Sequence, residues 1–240
     1  MALYREQGTV LRTYKLGEAD RIVHLLTQGR GKVRAVAKGV RRPGSRFGGR
    51  LEPFSHVDVQ LYEGRSLDVV TQAELIASFA EVRGDWALSV CGSAMAEAAD
   101  RVAQERERCT RLFILLLDGL RALRQAPDQP GTLLDAWLIR LASVAGYHPY
   151  LEACAHCGAP GPHRVFHIAA GGLLCPSCAP SDAQGLDPAT VTWLAALARA
   201  DWQALPPVHP RVRRAAGALL NSFLTYHLGK PLRSWDLVPR

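Results

Sequence analysis

Short runs of alternating apolar and polar residues fill the first 80 positions of the chain. They cover residues 8–12, 22–27, 32–37, 57–62 and 67–72, and turn-forming glycines or prolines lie between them. The alternation is strict in Val57-Asp58-Val59-Gln60-Leu61, which is typical of a strand with one buried and one solvated face. Five short strands in so few residues predict a small closed barrel, and the pattern alone fits both an OB-fold and an SH3-like barrel.

After residue 84 the apolar period becomes helical. Asp85 is a suitable N-cap, and the apolar residues that follow it share one helix face: Leu88, Cys91, Met95, Ala98 and Val102. A second helix is predicted over 109–124, and a third opens at Thr132 with a capping-box-like sequence and ends at Gly146. Two more helices are predicted, one beginning at Asp187-Pro188 and one over 210–228.

The stretch between the third and fourth helices is short, rich in glycine and proline, and contains four of the six cysteines. The whole pattern therefore predicts an α+β protein. A five-stranded barrel occupies residues 1–80, and a helical domain occupies 81–150 and 183–240. The cysteine-rich insert over 151–182 divides the helical domain in two.

Composition narrows the class of protein. Hydrophobic residues make up 48% of the chain, enough to bury a core, so disorder is not expected. No apolar run reaches the roughly 18 residues of a membrane span, and the N-terminal residues do not resemble a signal peptide. We therefore expect a cytoplasmic protein without a membrane partner, in which the cysteines stay reduced.

The net charge of +7 is unevenly distributed along the chain. The first fifty residues carry twelve Lys and Arg but three acids, a net charge of +9, which leaves −2 for the other 190 residues. A positive field concentrated in this way indicates a polyanionic partner, and a merely solvated basic face is the alternative.

The cysteines of the insert form two C-x-x-C turns, Cys154-Ala155-His156-Cys157 and Cys175-Pro176-Ser177-Cys178, separated by 17 residues. Each turn can supply two corners of a zinc tetrahedron, so the spacing predicts one structural Zn²⁺ held by Cys154, Cys157, Cys175 and Cys178. An iron–sulfur site or a thioredoxin-like redox pair is the alternative. We interpret His156, His163 and His167 as loop residues, and Cys91 and Cys109 as core residues.

A catalytic role finds little support in the sequence. Zinc deaminases require an H-x-E sequence, which does not occur here, and four thiolates would fill the zinc coordination shell. We therefore predict a binding protein rather than an enzyme. A zinc-dependent enzyme that modifies nucleic acid is the alternative.

Three basic regions are candidates for DNA phosphate contacts. They are a strand with Lys32 and Arg34, a glycine-containing segment with Lys38, Arg41, Arg42 and Arg46, and the start of the last helix with Arg211, Arg213 and Arg214. Four aromatic residues are candidate platforms for base stacking: Tyr14, Phe47, Phe54 and Tyr62. For Phe54 and Tyr62 we consider the barrel core the better interpretation.

Several of these motifs resemble the bacterial RecO recombination-mediator family. The N-terminal signature is carried by Gly8-Thr9-Val10-Leu11, Gly17-Glu18-Ala19-Asp20-Arg21-Ile22, Thr27, Gly29, Gly31-Lys32, Ala37-Lys38-Gly39-Val40-Arg41-Arg42 and Ser45-Arg46. The C-terminal signature is carried by Tyr226-His227-Leu228-Gly229-Lys230-Pro231-Leu232-Arg233-Ser234. The likeness spans both ends of the chain, whereas the helical middle is generic.

The resemblance implies an N-terminal OB-fold, a helical domain and, in many members, a zinc-binding insert. It also implies binding of single- and double-stranded DNA, strand annealing, partnership with RecR, and recombinase loading onto strands coated by single-strand binding protein. Relatives dock the acidic, hydrophobic tail of that protein on the helical domain. Here we expect Arg121 and Arg124, together with an apolar pocket near Leu133 and Trp137, to receive it.

Overall fold

A computed structural model describes residues 2–199 and 207–239. By its internal contacts the chain forms two compact units, Met1–Pro127 and Asp128–Arg240. The first unit contains the barrel and three helices, and the second contains three helices and a small sheet. Within the described ranges, no helix combines the length and the apolar character that crossing a membrane requires.

The barrel of the first unit consists of β1 (Leu3–Leu16), β2 (Asp20–Thr27), β3 (Gly31–Ala37), β4 (His56–Tyr62) and β5 (Asp68–Ala77). The strand order is β1-β2-β3-β5-β4, and β1 closes the barrel by pairing with both β2 and β4. Only the β3–β5 pair is parallel. This closed Greek-key arrangement confirms the OB-fold. All five predicted strands are present, and β1 and β5 extend well beyond their predicted ends.

Alternation along the strands places the apolar residues inside the barrel. Its core consists of small and branched side chains, among them Val10, Val23, Leu25, Val57 and Val59, which are fully buried. Phe47 and Leu51 join that core from the segment between β3 and β4, which contains a short 3-10 helix over Gly48–Leu51. The loop before β4 is therefore tied to the barrel interior.

Three helices complete the first unit: α1 (Ala80–Gly84), α2 (Trp86–Val102) and α3 (Thr110–Gln125). Asp85 caps α2 as predicted, because its Oδ1 accepts a hydrogen bond of 2.9 Å from the amide of Leu88. The sequence pattern missed the one-turn helix α1. Cys91 is buried as predicted, whereas Cys109 is half-buried and precedes α3, so it is not a core residue.

The second unit contains α4 (Pro130–Val144), α5 (Pro188–Arg199) and α6 (Pro210–Leu228). A three-stranded sheet of order β7-β6-β8 lies in the chain between α4 and α5. Its strands are β6 (Val165–His167), β7 (Gly172–Leu174) and β8 (Gln184–Gly185).

The capping-box start at Thr132 is wrong. α4 begins one half-turn earlier, with Pro130 in its first turn, and both Thr132 and Asp135 are buried inside the helix. By contrast, the bounds of α6 agree with the prediction, and Gly229 ends it with a φ of +76°.

Candidate metal centre and nucleic-acid interface

The four cysteines of the two C-x-x-C turns lie together in the second unit. The Sγ atoms of Cys154, Cys157, Cys175 and Cys178 all lie within 4.8 Å of one another, and the Cys157 and Cys175 sulfurs are 3.8 Å apart. None of the four is in a disulfide. A Zn²⁺ tetrahedron with Zn–S bonds of about 2.3 Å has sulfur–sulfur edges of about 3.8 Å, so the donor set fits zinc.

Local hydrogen bonds shape the first cysteine turn. The amide of Gly158 donates to the Cys154 carbonyl at 2.9 Å, and the amide of Cys154 donates to the Ala159 carbonyl at 2.8 Å. Gly158 has a φ of +74°, a region that side chains with a Cβ rarely occupy. The turn therefore folds the backbone back on itself and directs both sulfurs to the same side.

The second cysteine turn follows directly on β7. Leu173 of this strand accepts a hydrogen bond from the amide of Ala155 at 2.8 Å, which joins the two turns through the backbone. A side chain at Gly172 would not fit, because its Cβ would lie 2.4 Å from the Tyr150 carbonyl oxygen. The sheet thus fixes the distance between the two turns.

Electrostatics favour thiolate at one corner of the cluster. Hydrogen bonds from the backbone of Cys157, and then of Cys175, lower the pKa of Cys154 to about 5. His163 contacts the Ala159 carbonyl and His167 lies 3.5 Å from Asp182. Among the described residues no histidine joins the sulfur cluster. His156 and His163 lie outside helices and strands, as interpreted, whereas His167 is the last residue of β6, so its interpretation as a loop residue is wrong.

A second candidate site is the basic loop, residues 38–46, which connects β3 to the 3-10 helix. It rests on the turn between β1 and β2. The amide of Gly39 donates to Asp20 Oδ1 at 2.7 Å, and the Arg41 amide donates to the Ala19 carbonyl at 2.9 Å. The Arg41 guanidinium donates in addition to the Gly17 carbonyl at 3.2 Å. These bonds, and the buried Val40 side chain, hold the loop against the barrel although its basic side chains are exposed.

The basic loop presents its cations without acidic partners. Four of its basic side chains are exposed and form no ion pair with any described residue, namely Lys38, Arg41, Arg42 and Arg46. Several cations elsewhere on the barrel have acidic partners. Arg5 pairs with Asp58 at 2.7 Å, and Arg21 pairs with Glu52 at 2.8 Å. Uncompensated positive charge therefore collects on one loop.

Lys32 and Arg34, on β3, have acidic partners outside the barrel. Lys32 Nζ donates to the Asp100 carbonyl at 2.7 Å and lies 3.6 Å from the Asp100 carboxylate, and its side chain is only 17% exposed. Arg34 pairs with Glu105 at 2.8 Å. A phosphate contact by either cation would have to replace or share these interactions.

The candidate stacking residues divide into buried and exposed ones. Phe47 and Phe54 are buried, so Phe47 is not a stacking platform and Phe54 is a core residue as we interpreted it. Tyr62 is 42% exposed, so its interpretation as a core residue is wrong. Tyr14 is 45% exposed and contacts the Arg12 guanidinium and the His24 ring, each at 5.3 Å. Tyr14 and Tyr62 are therefore the two candidates whose rings remain accessible to a base.

The arginines of the last helix lie in the first turn of α6, as predicted. Arg211 and Arg214 are exposed and Arg213 is half-buried. The His209 ring accepts a hydrogen bond from the Arg211 amide at 3.2 Å and caps the helix.

Arg121 and Arg124 lie on α3. Arg121 pairs with Asp118 at 3.0 Å, and the Arg124 guanidinium stacks on the Phe79 ring at 5.3 Å. Leu133 and Trp137 of α4 are 2% and 0% exposed, so neither side chain lines an open pocket.

Comparisons with known proteins agree along the whole chain. Residues 1–79 match the family model described as Recombination protein O N terminal, and residues 83–236 match that of Recombination protein O C terminal. The chain is 49% identical over 242 residues to a DNA repair protein RecO of Thermobifida fusca, which covers 100% of both chains. It is also 49% identical over 243 residues to a DNA repair protein RecO of a Nocardioides species, covering 99% of this chain and 100% of the relative.

Proposed function

The chain belongs to the RecO family of DNA repair and recombination proteins, and from this premise we propose that it binds single- and double-stranded DNA and anneals complementary strands. In this role the protein makes and breaks no covalent bonds. It brings two polyanions together on one protein and screens their mutual repulsion. Annealing and recombinase loading in DNA repair are the activities that the family resemblance implies for this chain.

The observation that carries the proposal is the uncompensated charge of the basic loop. Each cation that reaches a phosphate releases condensed counterions, and this release is the main source of affinity that does not depend on sequence. Backbone bonds from Gly39 and Arg41 to the β1–β2 turn hold the loop in place before any ligand arrives. Contacts of this kind carry no base information, so we expect similar affinity for unrelated sequences.

The remaining cations take secondary places in the proposal. Arg211, Arg213 and Arg214 form a second candidate phosphate contact at the start of α6. Lys32 and Arg34 contribute to the potential of the barrel face while they stay bound to Asp100 and Glu105.

We assign one structural Zn²⁺ to the four-cysteine cluster, held by Cys154, Cys157, Cys175 and Cys178. The metal would cross-link the two cysteine turns and so stabilise a segment whose apolar core is small. Four thiolates leave no coordination position for a substrate, so this metal has a structural role in the proposal.

The proposal includes protein partners and a location. RecR and the acidic tail of single-strand binding protein are the partners, with Arg121 and Arg124 as contacts for the tail carboxylates. The protein acts in the cytoplasm, associated with the nucleoid, where its DNA substrates are.

The salt dependence of DNA binding tests the loop. Replacing Arg41 and Arg42 together by Gln removes two phosphate contacts, so the slope of log K against log salt on single strands should flatten by about 1–1.5. Arg5→Gln is the matched control, because Arg5 is exposed but already paired with Asp58 and Glu74. The measurement is fluorescence anisotropy of a labelled oligonucleotide between low and moderate salt.

The annealing rate of two complementary oligonucleotides tests the activity itself. We expect the wild-type protein to accelerate annealing and the Arg41→Gln/Arg42→Gln protein to lose most of that acceleration. If the slope of log K against log salt is unchanged in this variant but flattens when Arg211, Arg213 and Arg214 are replaced, the phosphate contacts lie on α6 instead of the basic loop. A wild-type protein that neither binds nor anneals DNA would refute the proposal.

A further inference from the structure

Three aromatic rings of the C-terminal unit meet at its surface, near the end of α6. The rings of Tyr147 and His227 are stacked, with centroids 4.3 Å apart and planes 21° from parallel. The Tyr226 ring packs edge-on against the His227 ring, with centroids 5.1 Å apart and planes at 89°. Tyr147 is 40% exposed and Tyr226 is 58% exposed. We call Tyr147, Tyr226 and His227 the aromatic ledge.

The aromatic ledge is supported from inside the unit. His227 packs edge-on against Phe223 at 4.4 Å, and Phe223 packs edge-on against Phe166 at 5.9 Å. Phe223 and Phe166 are buried, and Phe166 belongs to β6 of the sheet that carries the second cysteine turn. The outer rings are therefore fixed by a continuous row of rings, which lowers the entropy lost when a ligand stacks on them.

The chemistry of the aromatic ledge suits a nucleobase better than an apolar peptide. The cavity bordered by Phe166 and Phe223 measures about 10 Å³, room for one water at most and too little for an inserted side chain. Flat, exposed ring faces suit a planar ligand instead. Burial lowers the pKa of His227, which favours the neutral ring at neutral pH.

Charges in the segment after α6 agree with this choice. Lys230 and Arg233 are exposed and lie within seven residues of Tyr226, while Asp236 is the acid of the same segment. The segment that follows Tyr226 and His227 in the chain thus carries net positive charge, and cations together with exposed rings are the combination that proteins use for single strands.

We propose that Tyr147 and Tyr226 form a second single-strand DNA site, on the C-terminal unit, in which nucleobases stack on the two rings. The inference rests on the proposed DNA-binding function and extends it. The basic loop holds one strand by its phosphates, and the aromatic ledge holds exposed bases of a strand that is still unpaired. Two sites of different chemistry on one chain provide what annealing requires, a bound strand and an accessible partner.

A pair of oligonucleotides separates stacking from phosphate binding. The first is a fluorescein-labelled dT 20-mer, and the second is a 20-mer of abasic sites with the same number of phosphates. The variant Tyr147→Leu/Tyr226→Leu should bind the dT 20-mer at least tenfold more weakly than the wild type, because each stacked base contributes about fivefold or more. Its affinity for the abasic 20-mer and its salt slope should stay unchanged.

Two control variants show whether the effect depends on the aromatic rings of Tyr147 and Tyr226. Tyr147→Phe/Tyr226→Phe keeps both rings and should bind the dT 20-mer as the wild type does. Trp86→Leu removes an exposed aromatic ring, 64% exposed, from the start of α2 and should also have no effect. Zinc content and thermal melting verify that each variant is folded. If the leucine variant is unstable, the phenylalanine variant still tests the inference, because a loss of DNA affinity in the phenylalanine variant would contradict stacking.

The outcomes distinguish this inference from the proposed function. Equal affinity of the leucine variant and the wild type for the dT 20-mer overturns the aromatic ledge as a DNA site, and so does an equal loss for both oligonucleotides. Loss of a protein partner with unchanged DNA affinity would show a protein-docking surface instead and overturn the inference as well. If Arg41→Gln/Arg42→Gln changes nothing while the leucine variant loses only the dT 20-mer, the loop fails and the aromatic ledge stands.

Discussion

Cys175 has two contacts that make it informative at the scale of single residues. Its sulfur lies 3.8 Å from that of Cys157 and 3.2 Å from the Ser177 hydroxyl, and the Ser177 hydrogen bond is the main cause that lowers its pKa. The residue is buried, so a group that replaces it cannot turn to solvent. A serine at this position keeps the size of the side chain but removes a soft ligand.

We expect Cys175→Ser to lower zinc from about one per chain to near zero. The melting temperature should fall by about 5–10 °C, since each kcal/mol lost shifts it by about 2–4 °C in a chain of this size. Elemental analysis and thermal unfolding provide the measurements. Cys109→Ser is the control, because Cys109 is half-buried and outside the sulfur cluster. Metal-free wild-type protein that melts at the same temperature as metal-loaded protein would contradict a structural zinc.

Sequence reasoning succeeded for the cysteines and was incomplete for the cations, and the reason is separation along the chain. Spacing within each C-x-x-C turn is local, so the cluster could be predicted. The acids that meet Lys32 and Arg34 lie 68 and 71 positions later, on α2 and in the segment after it. Only the fold brings them to β3. No local sequence pattern could show which cations of the strand have acidic partners and which are available to a ligand.

At the scale of elements, Asp100 connects α2 to the barrel. Its carboxylate lies 2.7 Å from Arg12 of β1, 3.8 Å from His24 of β2 and 3.6 Å from Lys32 of β3. Burial alone would raise the pKa of Asp100, but the neighbouring His24 ring and the charges of Lys32 and Arg12 lower it below its usual value. One acid on a helix thus meets three basic side chains on successive strands.

Asp100→Asn should destabilise the N-terminal unit by about 2–3 kcal/mol at neutral pH, because it leaves Lys32 largely buried without its counter-charge. Because the pKa of Asp100 is lower in the folded state than in the unfolded state, its carboxylate stabilises the fold at pH values above the unfolded-state pKa. This stabilisation is lost as the pH falls through the folded-state pKa. The difference between wild type and variant should therefore be full at pH 7 and shrink below about pH 4. Urea unfolding at both pH values measures it. A difference that grows on acidification would contradict the assigned role.

Another element-scale prediction concerns α3. Arg121→Ala and Arg124→Ala should each weaken binding of a peptide with the acidic tail of single-strand binding protein by about fivefold, the effect of one partly solvated charge-assisted contact. Arg5→Ala serves as the control, since it removes an exposed cation from the barrel. Calorimetric titration with the peptide measures the change. Unchanged affinity in both variants would remove α3 from the docking surface.

The start of α4 illustrates what local patterns leave out at this scale. Thr132 and Asp135 have the spacing of a capping box, yet both are buried, at 2% and 0% exposure. Pro130 fits the first turn because it needs no amide donor there, so the helix begins before the polar pair. α6 was predictable because both signals, Pro210 at its start and Gly229 at its end, are unambiguous.

At the scale of the whole molecule, the proposed sites are distributed over two compact units, 1–127 and 128–240. The basic loop belongs to the first unit, and the four-cysteine cluster and the aromatic ledge belong to the second. The charge asymmetry in the sequence indicated the basic loop. The aromatic ledge joins residues near the end of α4 and the end of α6, about 80 positions apart, and composition cannot reveal such a contact.

This division predicts how the molecule responds to loss of zinc. A chelator should raise hydrogen exchange in residues 150–186, where backbone bonds depend on the cross-link between the two cysteine turns. Those bonds include Cys154 N to Ala159 O, Ala155 N to Leu173 O and Leu173 N to Tyr150 O, each 2.8 Å. The segment has little apolar core of its own, so we expect the proposed metal to supply much of its folding free energy.

Barrel amides should keep their protection under the same treatment, because the barrel core of Val10, Leu25 and Val59 contains no zinc ligand. Added Zn²⁺ should restore protection in residues 150–186, which separates metal loss from irreversible unfolding. Exchange followed by mass spectrometry resolves both regions in one experiment. Equal deprotection of barrel and insert would show that the two units unfold together, and no change in the insert would show that its fold does not need the metal. We expect a local, reversible loss confined to the second unit, since stability differs between cooperative parts of one chain.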